Sequence, residues 1–440
     1  MKRLRFDIEW EDPAAAMGPE LRATWAHLRI FVDDECLTEV HDLAARSVRN
    51  GIYLSLYPLA EWLAMHWWHL FYELENPRRT EPAEYLRRHN LRYGRDGFAF
   101  PNLVLCPLNG HVALSWANST GPSELVRFLS QGKSLLPAVD VEAGLKGLIE
   151  TVIQRLDQSD LPETILHQEW REICGADAAE RAFCRAAAAL GQDPYNLEDG
   201  VSEALLEVSR LLPAAVSEDF FASAEVSLLL DQARLVESAL QKSAAQEIKL
   251  QPIMDLRRDL KFRAEARHPW EDGYAWARRL RQELKLNGKV AGNIEEVGIM
   301  LGLAPADFNR AVDKAGRVPA VFDAVMNLNR HQSPGFVLRP QNQVNLKFSF
   351  CRALIEYLAA DQPGPALVAT DYSLRQKRNR AFAAEFLVPA EELKQALPGP
   401  YLGPDDLDAL ARKFKASSWL VRHQLENHNL ARLAPASGDF

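Results

Sequence analysis

The sequence predicts an α+β protein, mostly helical, in two or three domains. Three observations carry this expectation. Runs rich in β-branched and aromatic residues are concentrated in the first 120 residues. Beyond Gly121, apolar residues recur at three- and four-residue spacing. At 440 residues, the chain exceeds what a single hydrophobic core ordinarily organises.

Residues 1–120 read as a mixed α/β domain. ATWAHLRIFV and CLTEV are strand-like runs separated by the turn-like Asp33-Asp34-Glu35. FAFPNLVLC and HVALSWA flank Pro107-Leu108-Asn109-Gly110, whose Asn-Gly pair signals a hairpin. Between them, LAEWLAMHWWHLFYELE is expected to be one helix from Leu59 to Glu75, with Trp62, Trp67 and Trp68 filling a core. Residues 121–250 are expected to be helical throughout and to pack as a layer on the first domain, through SELVRFLSQG, VEAGLKGLIETVIQRLDQ, AAERAFCRAAAALG and VSEALLEVSRLLPAAV. Gly191 marks a helix stop before the turn Gln192-Asp193-Pro194. A polar stretch from Gln241 to Gly273 then leads into a last domain, residues 265–440.

Composition excludes several classes. Hydrophobic residues at 47% and charged residues at 25% describe a soluble globular chain rather than a disordered or fibrous one. A net charge of -9 argues against a broadly basic surface for phosphate backbones. No apolar run approaches the roughly 20 residues of a bilayer span, and MKRLRFDIEWEDP turns acidic before a signal-peptide core forms, so a cytoplasmic protein without a membrane partner is expected. Cys36, Cys106, Cys174, Cys184 and Cys351 are odd in number, scattered and never in a CxxC pair, which suits reduced thiols. No phosphate-binding GxxxxGKS or GxxxxGKT, GxSxG or GxGxxG motif occurs, and no cofactor is expected. His66 and His69 stand at i and i+3, but two ligands without a third favour aromatic packing over a metal.

The last domain carries more information. In Lys347 to Leu358, Phe348, Cys351, Leu354, Ile355 and Leu358 recur at helical spacing and give one apolar face. Upstream, YAWARRLRQELKLNGKVAGNIEEVGIMLGL reads as a helix, a Gly-containing break and a second helix. Downstream come RQKRNRAFAAEFLVPAEEL and DDLDALARKFKASSWLVRHQLENHNL. In this order and at these separations, the segments resemble the ImmA/IrrE family of bacterial metallopeptidase-like proteins. The most specific piece is Phe382-Ala383-Ala384-Glu385-Phe386-Leu387-Val388-Pro389, similar to the family's Phe-Ala-Ala-x-Leu-Leu-Met-Pro signature. Ala411-Arg412-Lys413-Phe414 through Leu425-Glu426-Asn427 also fits. The resemblance implies a zincin-like C-terminal domain after the mixed α/β domain and the helical middle region.

In that family the central helix carries His-Glu-x-x-His: two His one turn apart bind zinc, and the Glu polarises the metal-bound water. The resemblance places the first His on Arg352, the Glu on Ala353 and the second His on Glu356. The carboxylate that precedes the Phe-Ala-Ala run falls on Gln376 or Arg378, with Arg380 where an Asn is common. The ligand set is lost, so neither zinc nor hydrolysis is expected. Cys351 and Glu356 diverge by about 140° around the helix and cannot share a metal. Arg352 and Glu356, at i and i+4, have the spacing of an intrahelical ion pair.

A cleft shaped for an extended polypeptide can still hold one by strand addition and side-chain pockets without a metal. Arg352, Glu356, Arg375, Lys377, Arg378 and Arg380 are therefore expected to line a partner-binding cleft. Charge reversal at Arg352 and Arg378 is expected to weaken binding and to leave the thermal midpoint nearly unchanged. The leading expectation is a non-catalytic protein-binding or regulatory component with a partner encoded in the same operon. A setting in phage defence or in mobile-element or stress regulation is implied by the resemblance alone. The alternative is a DNA-binding regulator. Leu407, Leu410, Ala411 and Phe414, then Leu420, Val421 and Leu425, outline a helix-turn-helix, and Arg412, Lys413, Lys415, Arg422 and His423 could meet phosphates. NIEEVGIMLGL has a similar outline. An enzyme in the N-terminal half finds no clustered catalytic set, and the oligomeric state stays open.

Overall fold

The computed structural model describes residues 3–433 apart from 14–16, 77–78, 95–96, 109, 119–125, 247, 265, 267 and 372. Helices take 51% of the chain and strands 18%, which makes the fold α+β and mostly helical. Two compact units form, Met1–Asp199 and Gly200–Phe440.

The first unit runs β1 (Leu4–Trp10), α1 (Pro19–Ala23), β2 (Trp25–Val32), β3 (Glu35–Cys36), β4 (Glu39–Asp42), β5 (Ser47–Asn50), β6 (Ile52–Ser55), α2 (Tyr57–Met65), α3 (Trp67–Tyr72), α4 (Pro82–His89), β7 (Asn102–Pro107), β8 (His111–Ala117), β9 (Val126–Phe128), β10 (Gly132–Pro137), α5 (Ala138–Gln158), α6 (Ile165–Gly175) and α7 (Ala178–Ala189). β2 forms because WAHLRIFV alternates strictly: Ala26, Leu28, Ile30 and Val32 are buried, and the residues between them are not. It pairs antiparallel with β1, β3 and β6. β7 and β8 form the expected antiparallel hairpin, with Leu105 opposite Leu114, although Asn109 of its turn signal lies outside the described residues.

Two expectations fail here for physical reasons. The run SELVRFLSQG is not a helix where it is described. Val126–Phe128 pairs with β4, and Gly132 opens β10 opposite Trp116 of β8. The ring of Trp116 stands where any Cβ at Gly132 would lie, so sheet packing overrides the three-residue apolar spacing. The tryptophan-rich helix is two helices, interrupted at His66 with φ -103° and ψ 12°. The break lets Trp67 meet Trp170 edge-on at 4.9 Å, while Trp68 Nε1 donates to the Tyr195 hydroxyl at 3.2 Å. Gly191, at φ 73°, ends α7 as its sequence suggests.

The second unit runs α8 (Val201–Leu211), α9 (Ala214–Ser223), α10 (Leu229–Ala244), α11 (Gln251–Leu260), α12 (Pro269–Glu283), α13 (Ile294–Met300), α14 (Pro305–Ala311), β11 (Val312–Asp313), β12 (Phe322–Leu328), β13 (Pro334–Leu338), α15 (Gln343–Leu358), β14 (Gly364–Ala369), α16 (Leu374–Leu387), α17 (Ala390–Gln395), β15 (Tyr401–Leu402), α18 (Pro404–Lys413), α19 (Ser418–Asn427) and β16 (Arg432–Leu433). The helical stretch 121–250 is thus divided: α5 to α7 belong to the first unit, and α8 to α10 to the second. A mixed sheet, ordered β11-β13-β12-β14, is the centre of the second unit. α9, α10 and α15 all pack on it, which is why every residue of β13 is buried. α12 lies along α16, with Gly273 at the crossing: a Cβ there would come within 2.4 Å of the Arg378 carbonyl oxygen. The polar stretch before α12 holds α11, whose Ile253, Leu256 and Leu260 join the core of this unit.

Candidate functional site

The site is built on α15. Asn342 caps its first turn by accepting from the Asn345 amide at 2.9 Å. From Leu346 to Leu358, every residue except Phe348 is buried. A helix surrounded in this way must satisfy each polar side chain internally. Lys347 does so by donating to the carbonyls of Ala291 and Lys415, and burial pulls its pKa down.

Arg352 is 2% exposed. Its Nη1 donates to Asp323 Oδ2 of β12 at 2.6 Å, and its Nη2 donates to Gln376 Oε1 of α16 at 2.8 Å and to the Ala369 carbonyl that ends β14. One guanidinium thereby ties the sheet to both helices. The other Asp323 oxygen accepts from Arg339 at 2.9 Å, and Gln376 Nε2 donates to the Leu367 carbonyl at 2.9 Å. Burial pulls the Arg352 pKa down, opposed by Asp323 and Asp371.

Glu356, one turn on, does not pair with Arg352. Its partners come from α16: Arg375 at 3.2 Å, Arg378 at 3.5 Å and the Asn379 side-chain amide. Burial raises its carboxyl above the ordinary range, against the pull of Arg378, Asn379 and Arg352. The intrahelical pair suggested by spacing is therefore replaced by two tertiary ones. The reason is burial: intrahelical partners would leave Asp323 and the α16 cations unanswered inside the protein. Arg375 also bonds Asp219 of α9, and Arg378 lies over the Trp276 ring at 5.2 Å.

The basic run of α16 divides between two flanks. Arg375 and Arg378 face Glu356, while Lys377 and Arg380 line a cavity of about 360 Å³ bounded by α12, α15, α16 and α19. Its walls include Trp270, Tyr274, Phe348 and Trp419, and His423 completes the basic lining. Arg380 Nη2 donates to the Thr370 carbonyl at 2.9 Å and to that of Asp371.

The C-terminal helix pair forms as its sequence outlines, with Ser417 accepting from the Leu420 amide at 3.2 Å to cap α19. Leu410, Ala411, Phe414, Leu420, Val421 and Leu425 all enter the core of the unit. Of the five basic residues, Arg412, Lys413, Lys415 and Arg422 are exposed and His423 is half-buried. Lys415 meets Glu296 at 3.4 Å, and Arg422 and His423 both meet Glu426, at 3.9 and 3.7 Å.

The six expected cleft residues thus do not surround one cleft. Arg352 and Glu356 are interior, and neither presents a face to a partner. The donor chemistry does not fit zinc either. Arg352 brings a positive charge to the middle of α15, Ala353 beside it carries no base, and burial pushes the adjacent Cys351 thiol up to about 12. Among the described residues, no group of three or more His, Cys, Asp or Glu is placed to hold a metal ion. This covers His66 and His69, whose rings lie 6.1 Å apart. Sequence reasoning missed Asp323 and Asp219, which lie 29 and 156 residues from their Arg partners, so no local spacing marks them. It also missed the aromatic walls, because Trp270 and Trp419 are 149 residues apart. In comparisons with known proteins, no family model, no curated protein and no solved structure matches the chain.

Proposed function

We propose that the chain is a non-catalytic, ImmA/IrrE-like protein with a degenerate metallopeptidase domain, acting in the cytoplasm as a protein-binding or regulatory component. One observation supports this above others: the position where the resembled motif has its first zinc ligand holds a buried guanidinium bonded to Asp323, Gln376 and Ala369. An ion pair of this kind can link sheet and helices in place of a metal. The proximity of Arg352 to Gln376, two positions the resemblance assigns to ligands, supports the same alignment. The phage-defence, mobile-element or stress setting rests on the resemblance alone.

The test is purification of the tagged full chain from its native host, followed by reconstitution with each purified protein that co-elutes. The expected result is a saturable complex in which the partner stays intact. Cleavage of the partner that stops on chelation would overturn the proposal.

A further inference from the structure

The outer edge of β1 is an unanswered hydrogen-bonding surface. β1 pairs with β2 alone. Asp33 N donates to Arg3 O at 2.9 Å and Glu11 N to Trp25 O at 3.0 Å, and the register sets Arg5, Asp7 and Glu9 opposite Phe31, Arg29 and His27. In an antiparallel pair, residues that exchange hydrogen bonds alternate with residues that do not. The odd-numbered residues of β1 therefore bond β2, while Phe6, Ile8 and Trp10 turn N–H and C=O to the opposite edge. Among the described residues no group meets them there.

We propose that this edge binds an extended segment of a partner protein, apolar at alternate positions, by antiparallel strand addition in the groove between β1 and α5. The inference rests on the protein-binding reading above and gives that reading a surface in the first unit.

Three observations select this occupant. The first is the groove. α5 runs beside β1, from Gly144 at the Leu4 carbonyl, where a Cβ would come within 2.8 Å, to Arg155 over the Trp10 ring at 5.3 Å. Along it lies a hollow of about 440 Å³, lined by Phe6 and Ile8 of β1 and by Gly147, Leu148 and Thr151 of α5. A Cβ at Gly147 would meet nothing within 4 Å, so the helix leaves room for the side chains of an added strand. Such a strand would cover Phe6, Ile8 and Trp10, which are half-buried.

The second is the contrast with β14, an edge strand of the sheet in the second unit. There the Leu367 carbonyl accepts from Gln376 Nε2 at 2.9 Å and the Ala369 carbonyl from Arg352. Side chains of the protein itself occupy that edge, whereas β1 has no such cover.

The third is charge. Arg5 is answered by Asp7 at 2.5 Å and Glu9 by Arg29 at 2.7 Å. Arg3 and Glu11, both exposed, have no side-chain partner among the described residues. Asp140 of the α5 wall lies one turn before Gly144 and so past the stretch that a strand would pair. An antiparallel segment with a basic residue opposite Glu11 and an acidic one opposite Arg5, diagonal to Arg3, meets both. A second copy of β1 is a poorer occupant, because α5 flanks the edge in each copy and the two helices would meet.

The experiment titrates the full chain, by calorimetry, with acetyl-Lys-Val-Thr-Val-Thr-Val-Glu-amide, whose residues would lie opposite Glu11 to Arg5 in order. Saturable binding is expected, with hydrogen exchange slowed over residues 4–11. N-methylation of the fourth residue, whose N–H would reach the Ile8 carbonyl, should weaken binding about tenfold or more, and N-methylation of the fifth, whose N–H points away, should not. Exchanging the terminal Lys and Glu should also weaken it. Ile8→Pro removes an outward N–H and no bond to β2, as an edge strand tolerates, and Gly147→Leu fills the hollow. Each should weaken binding about tenfold or more, with the circular dichroism spectrum kept.

Any of four results overturns the inference: no binding, equal binding of the two N-methylated peptides, equal binding of the charge-exchanged peptide, or a concentration-dependent dimer that Ile8→Pro abolishes. Should both variants still hold a host partner at wild-type affinity, the groove fails while the protein-binding reading stands. Cleavage of the bound peptide would overturn the non-catalytic reading and leave the groove in place.

Discussion

Arg352 Nη1 lies 2.6 Å from Asp323 Oδ2, joining the middle of α15 to β12 inside the second unit. A buried pair of this kind contributes little net stability compared with apolar packing, but breaking it leaves an uncompensated charge. Asp323→Ala should therefore destabilise the second unit by about 3–5 kcal/mol. Arg352→Glu should cost at least as much, because it places a carboxylate beside Asp323. This reverses the expectation from sequence that charge reversal at Arg352 spares the thermal midpoint. Calorimetric unfolding decides it: an unchanged midpoint in both variants would show that the pair is not interior.

Arg378 differs in degree. It is part-buried, with its guanidinium over Trp276 and beside Glu356. Arg378→Glu should cost about 1–2 kcal/mol, less than Asp323→Ala, through the lost ring contact and a like charge near Glu356. Urea unfolding of the two variants side by side checks the order, and a larger loss at Arg378 would contradict it.

Acid should act first on the first unit. Burial lowers the His66 pKa to about 4 and that of His69 to about 3, whereas unfolded histidine takes its proton near 6.5. The unfolded state then binds more protons, so stability is lost as pH falls from about 6.5 towards these folded values. Glu73 is held at about 2 by Arg88 and His89 against burial, which extends the loss below an ordinary carboxyl value of about 4.3. Replacing His69 by Phe should flatten the decline between pH 7 and about 4.5. An identical slope in the variant, measured by urea midpoints across that range, would remove His69 from the account.

Gly273 should resist substitution. In an exposed helix interior, Gly→Ala would add up to about 1 kcal/mol of stability. At Gly273 the new Cβ would meet the Arg378 carbonyl oxygen at 2.4 Å, and backbone cannot swing aside. Gly273→Ala should therefore destabilise by about 1–3 kcal/mol. A rise in the melting temperature would mean that α12 and α16 are not held so close.

Local pattern was legible in the sequence wherever one face of an element decides its burial. The strand-like run WAHLRIFV marked β2, and Gly191 marked the end of α7. Pattern failed where tertiary contacts chose between structures, as at Val126–Phe128, whose short apolar run pairs with β4, and at the break on His66. The site was legible by position and not by partner. Motif alignment drew attention to Arg352, Glu356 and Gln376, but i,i+4 spacing named the wrong partner for Arg352, because a buried charge is answered by whichever element the fold brings to it. Likewise, Lys377 and Arg380 from one basic run and His423 from another segment meet in one cavity, a juxtaposition that no local spacing encodes.

A guanidinium-centred network, and not a set of metal ligands, occupies the middle of α15 among the described residues. Zinc content of the full-length chain, purified without chelators and measured by elemental analysis, tests this most directly. The expected result is well under about 0.1 zinc per chain, unchanged in Glu356→Gln, since no ligand set of His, Cys or carboxylate converges there among the described residues. About one zinc per chain, lost in Glu356→Gln or Gln376→Ala, would contradict it.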